Sequence, residues 1–93
     1  MLDPDDERRI AACRQEIDAI DTQLLGLLNR RAECALTIGE VKKRNNEPIF
    51  VPEREQSLLQ RLASLNEGPL PDSAIVVVYQ AIMNEMKRLE ENS

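Results

Sequence analysis

A chain of 93 residues with a net charge of −5 and no histidine or tryptophan is expected to form a single domain. Its acidic balance excludes a general nucleic-acid binder, which would carry a basic stripe, and argues against docking on an anionic membrane. With one tyrosine and one phenylalanine, the apolar content is mostly Leu, Ile, Val and Ala, a set that suits helix-on-helix packing.

The opening residues Met1-Leu2-Asp3-Pro4-Asp5-Asp6 are acidic and lack the apolar stretch of a signal peptide. No apolar run approaches membrane-spanning length, so the cytoplasm is the expected location. Asp3-Pro4 reads as a helix start, with Asp3 able to cap, Pro4 suited to the first helical position, and the acids beyond it favoured by the helix dipole. From there apolar residues recur with heptad spacing: Ile10, Cys13, Ile17, Ile20, Leu24, Leu27, then Cys34, Ile38 and Val41. Leu25, Leu28, Ala32 and Ala35 widen the face. Cys13 and Cys34 fall on it too far apart to meet within one chain, and read as small buried apolar groups. The pattern predicts one helix over about 5–44. Breaks near Gly26 or Gly39, giving a small bundle, are the alternative.

Lys43-Arg44-Asn45-Asn46-Glu47-Pro48 reads as a loop by its Asn and Pro content. Pro52 starts a second helix, about 52–66, with Leu58, Leu59, Leu62 and Leu65 inward and Gly68 as its C′ residue. After Pro69-Leu70-Pro71, a third helix is predicted over about 72–91, with Ile75, Val78, Ile82, Met86 and Leu89 inward. The β-branched stretch Ala74–Tyr79 could be a strand alone, but its continuation is helix-forming and the chain offers no partner strand.

The expected fold is therefore all-α, with one long and two shorter helices. A helix of about 40 residues is about 60 Å long, whereas a compact monomer of this size has a radius of gyration of about 12 Å. The shorter helices cannot cover so long a seam, and soluble monomers avoid large apolar patches. A second copy of the long helix is the simplest cover, so an intertwined homodimer is expected.

One seam position breaks the pattern. Carried forward from Leu24 and Leu27, the heptad reaches Arg31. A guanidinium there either binds something or fixes register. Lys42 lies eleven residues on, about 20° round the helix and about 16 Å along it. With Arg31 it could bracket a small anion, although alone it reads as a solvated lysine. Arg14 stands seventeen residues before Arg31, about 25 Å away. It cannot reach such a pocket on its own helix, but in an antiparallel dimer the partner's Arg14 could; by itself it reads as a surface charge. Arg54 and Glu55 are first-turn charges, and Glu90, near the end of the third helix, reads as solvated.

The segments Arg14-Gln15-Glu16-Ile17-Asp18-Ala19-Ile20-Asp21, Leu24-Leu25-Gly26-Leu27-Leu28-Asn29-Arg30-Arg31, Ile38-Gly39-Glu40-Val41-Lys42 and Pro52-Glu53-Arg54-Glu55, in this order, resemble the all-helical (type II) chorismate mutases across nearly the whole chain. The resemblance implies an intertwined dimer with two equivalent pockets and rearrangement of chorismate to prephenate in aromatic amino-acid biosynthesis. It implies that the partner's Arg14 and the chain's own Arg31 clamp the substrate carboxylates and that Lys42 donates to the ether oxygen. Arg54 would add positive field, Glu55 would bind the ring hydroxyl, and Val51 would touch that hydroxyl through its backbone. Met86 stands where the family commonly has a serine, and Glu90 where it has glutamine or glutamate. Met86 cannot donate a hydrogen bond, so weaker binding is expected. Such domains are often fused to a prephenate dehydratase or another aromatic-pathway enzyme.

The reaction is intramolecular and needs no nucleophile, metal or cofactor, so none is expected. Arginine forks bind carboxylates bidentately, and preorganised donors stabilise charge developing on the ether oxygen. Glu90 could donate there only when protonated; burial beside Met86 would raise its pKa and Lys42 would lower it. Two other readings share the pattern: an isochorismate pyruvate-lyase on the same scaffold, and a helical dimerisation or regulatory module without turnover.

Overall fold

The computed structural model describes residues 1–93. It is all-helical, with α1 over Pro4–Arg44, α2 over Pro52–Leu65 and α3 over Asp72–Asn92. The chain divides into two units, Met1–Arg31 and Ala32–Ser93, with α1 running through the boundary. No helix is long and apolar enough to cross a membrane.

Helix α1 starts as the local chemistry dictates. The Asp6 N–H donates to Asp3 Oδ1 at 2.9 Å, which satisfies an otherwise orphaned donor of the first turn. Asp5, Asp6 and Glu7 occupy that turn, and Lys42, Lys43 and Arg44 the last, so both ends match the helix dipole. Gly26 and Gly39 do not interrupt the helix, so the broken-helix alternative is set aside.

Within Met1–Arg31 no residue is buried, and Ile10, Ile17, Ile20, Leu24, Leu25 and Leu27 are all exposed in the single protomer. Cys13 and Cys34 are exposed and free. The α1 face that carries them is open in one copy of the chain.

The core lies in Ala32–Ser93, where α2 packs on α3 and Ala35, Leu58 and Met83 are buried. The remainder of α2 departs from its expected apolar face at one position: Leu58 is buried and Leu59 and Leu62 are half-buried, but Leu65 is exposed. The helix ends at Leu65, and Asn66, with φ −71° and ψ 125°, leaves the helical region. Its side chain holds the connector together. Nδ2 donates to the Leu70 carbonyl at 2.8 Å and to Asp72 Oδ1 at 2.7 Å, and Oδ1 accepts from the Gly68 N–H at 3.1 Å. Gly68 does take a positive φ of 80°, which glycine adopts without steric penalty. It serves the connector rather than the C′ position, because Asn66 has already ended the helix.

Helix α3 absorbs the β-branched stretch 75–78 without a strand. In the single protomer its inward face keeps Ile75, Ile82 and Met86 of the expected set but not Val78 and Leu89. Met83 is buried and Ile75, Tyr79, Ile82, Met86 and Glu90 are half-buried, whereas Val78 and Leu89 are exposed. Hydropathy favours the stripe richest in Val and Leu, but the packed face also carries Gln80, Lys87 and Glu90, all half-buried. Polar residues with long apolar stems can cover a core while their tips do other work.

Candidate active site

The candidate residues divide between the two units. Arg14 and Arg31 belong to Met1–Arg31, where Arg14 is exposed and Arg31 half-buried. Lys42, Val51, Arg54, Glu55, Met86 and Glu90 belong to Ala32–Ser93.

Lys42 sits in the last turn of α1 and is half-buried. The chain then folds back on it. Asn45 Nδ2 donates to the Val41 carbonyl at 2.8 Å. Asn46 takes a positive φ of 56°, a conformation asparagine tolerates better than most residues. The Glu47 N–H donates to the Lys42 carbonyl at 2.8 Å, and Lys42 Nζ donates to the Ile49 carbonyl at 3.1 Å. The ammonium is thus tied to the loop that follows its own helix.

Val51 is the N-cap residue of α2, in extended conformation and without a side-chain cap. Its carbonyl accepts from the N–H groups of Arg54 at 3.0 Å and Glu55 at 3.2 Å. Pro52 follows at the first helical position, where its missing N–H is no loss. That start places Arg54, exposed, and Glu55, half-buried, in the first turn. Gln80 of α3 reaches Glu55: its Nε2 donates to Glu55 Oε1 at 3.4 Å and to Asn84 Oδ1 at 3.1 Å.

Glu90 comes close to α1 because Gly39 lets it. A methyl group built on Gly39 would lie 3.1 Å from Glu90 Cβ, 3.2 Å from Cγ and 3.4 Å from Cα. Gly39 is buried, one turn before Lys42. The glutamate stem therefore packs where a side chain at position 39 would make a tight contact. Met86 is one turn earlier on α3 and half-buried. The ion pairs of Arg8 with Asp5, Arg9 with Asp6 and Arg88 with Glu85 join neighbours along helix surfaces and lie outside this group.

Four residues of this region were not singled out by sequence reasoning: Gly39 as the contact for Glu90, Gln80 as the partner of Glu55, and Ile49 and Phe50 in the loop. A glycine inside a helix and a glutamine in an apolar stretch are the only signals that could have marked the first two.

Within Ala32–Ser93, Lys42 stands at the end of α1, Arg54 and Glu55 at the start of α2, and Glu90 at the end of α3. The fold is that of a small all-helical domain, and comparison with known proteins identifies its family. The family model for chorismate mutase type II matches residues 13–91; the chain belongs to that family. It is 43% identical over 82 residues to the bifunctional chorismate mutase/prephenate dehydratase of Aquifex aeolicus, an alignment that covers 84% of this chain and 23% of that protein. The chain spans about a quarter of the length of the curated relatives it matches. Among solved structures, form II of the Thermus thermophilus chorismate mutase superposes with a TM-score of 0.88 at 34% identity, over 89% of this chain and 94% of that one. The Helicobacter pylori chorismate mutase in complex with prephenate superposes at 0.85 and 33% identity, over 91% and 92%.

Proposed function

We propose that this chain is a chorismate mutase that acts as a homodimer in aromatic amino-acid biosynthesis, rearranging chorismate to prephenate. The observation that carries the reading is the likeness, over nearly its whole length, to a relative solved with prephenate bound. The half-buried Lys42, Glu55 and Glu90 of Ala32–Ser93, ionisable groups kept partly out of solvent, support it. So does the row of exposed apolar residues on α1, from Ile10 to Leu27, which a second copy of α1 would cover.

In this reading the partner's Arg14 and the chain's own Arg31 bind the two carboxylates and hold the substrate in its compact conformer. Proximity of this kind lowers a barrier by removing the entropy of alignment. Lys42 keeps its bond to the Ile49 carbonyl and turns a second donor to the ether oxygen, where negative charge grows as the C–O bond breaks. Glu90, when protonated, donates to the same oxygen. Arg54 adds positive field, Glu55 accepts from the ring hydroxyl, and the Val51 backbone borders that hydroxyl. Met86 offers no donor, so substrate binding is weaker than a serine there would allow.

The test is direct. Purified protein is mixed with chorismate, and loss of chorismate and gain of prephenate are followed. Turnover to prephenate is expected, and Lys42→Ala is expected to lower kcat by about 100- to 1,000-fold, as loss of a preorganised donor does elsewhere, while the dimer remains folded. No turnover of chorismate, or salicylate and pyruvate from isochorismate instead, overturns the reading.

A further inference from the structure

Lys42 is held by a loop, and that loop is itself held. Between α1 and α2, residues 47–51 have no helix or strand of their own. One of their carbonyls, that of Ile49, accepts from Lys42 Nζ at 3.1 Å. The Ile49 carbonyl and the Phe50 N–H belong to one peptide unit, which is planar and runs from one Cα to the next. Whatever fixes Phe50 therefore fixes the direction of the carbonyl that holds Lys42. Phe50 is fixed from α3: the Lys87 ammonium lies over its ring, 4.5 Å from the centroid. This is well inside the range at which a cation is attracted to an aromatic face. Phe50 as a whole is 46% exposed.

We propose that Lys87 is a positioning residue for Lys42, acting through the Phe50 ring and the Ile49 carbonyl. The proposal rests on the function given above for Lys42. Lys87 touches no substrate in this account. Its charge pins Phe50, the pinned peptide unit presents its oxygen to Lys42 Nζ, and the ammonium is held ready before substrate arrives. Release of Phe50 lets the peptide unit rotate and Lys42 populate other rotamers. Fewer molecules are then poised to donate to the ether oxygen. The effect falls on kcat, because that donation strengthens as charge develops in the transition state.

Lys87 is also three residues from Glu90, so its charge alone could act there. Two substitutions separate the routes. Lys87→Gln removes the charge, and Phe50→Leu removes the ring while leaving the charge in place. Each is expected to lower kcat about two- to fivefold, the range set by a cation over a partly exposed ring, with a smaller change in KM. The double variant is expected to be no worse than either single one, since both break the same contact. Lys87→Arg and Phe50→Tyr, which keep the contact, are expected to stay near wild type. A Phe50→Leu variant with unchanged kcat, or losses that multiply in the double variant, overturns the proposal.

A second readout needs no turnover. The Glu47 N–H, bonded to the Lys42 carbonyl at 2.8 Å, closes the loop, and its hydrogen exchange should quicken in both single variants. Unchanged exchange overturns the proposal. A wild-type chain that leaves chorismate intact sinks the function proposed above, and Glu47 exchange then decides the loop contact alone.

Discussion

Two damaged chains should make one working pocket. Arg14 and Arg31 lie on the same helix seventeen residues apart, about 25 Å along its axis. That span exceeds the reach of two arginine side chains toward one small substrate. If both guanidinia clamp it, they come from different copies of the chain. Arg14→Ala and Arg31→Ala should each lower kcat/KM by at least roughly tenfold, given about 1.5–3 kcal/mol for a hydrogen bond to a charged group. Co-expression of the two variants with different tags yields heterodimers with two unequal pockets. One lacks both guanidinia. The other draws Arg14 from the Arg31→Ala chain and Arg31 from the Arg14→Ala chain, and is intact. With random pairing about half the dimers are mixed, so a total near one quarter of wild-type activity is expected. Dual-tag purification should raise it to about one half. Activity of the purified heterodimer no higher than that of either variant alone would refute the cross-chain pocket, and a monomeric protein would refute its premise.

Gly39→Ala should damage activity more than stability. Its new methyl meets Glu90 Cβ at 3.1 Å, tighter than an ordinary carbon–carbon contact of about 3.5–4.0 Å. The gain of about 1 kcal/mol in helix propensity offsets part of an overpacking loss of about 1–3 kcal/mol, so thermal unfolding should shift little. Glu90 must move, and kcat/KM should fall on the order of tenfold; unchanged kinetics would count against Glu90 as a working residue. Gly26→Ala is the control, with nothing within 4 Å of the added methyl, and should stabilise the helix by about 1 kcal/mol with activity intact. For Glu90 itself, only the protonated acid donates, so kcat/KM should rise as pH falls from about 8 to about 5. Glu90→Gln, a donor throughout, should flatten that profile, and a wild-type profile already flat would dispose of the idea.

Much of the architecture was legible because its signals are local. Asp3 caps α1 and Pro52 opens α2 where the residue types alone place them, since an N-cap needs only an acceptor two or three residues before the donor it serves. The departure of Arg31 from the apolar seam is equally local, a matter of counting along one helix. The face of α3 was not legible in this way. Hydropathy weighs Val78 and Leu89 above Gln80, Lys87 and Glu90, yet in the single protomer the polar three are half-buried beside Met83 while Val78 and Leu89 are exposed. Gln80 reaches Glu55 and Lys87 reaches the Phe50 ring, both far along the chain.

The order and length of the three helices, their starting points and the misfit of Arg31 follow from neighbouring residues, because capping, proline geometry and helical periodicity act within a few positions of the chain. Which side of α3 turns inward, how closely Gly39 approaches Glu90, and how a loop carbonyl comes to hold Lys42 depend on segments up to about fifty residues apart in sequence. Such contacts are chosen by the fit of whole surfaces, where shape decides between stripes that hydropathy ranks in the wrong order.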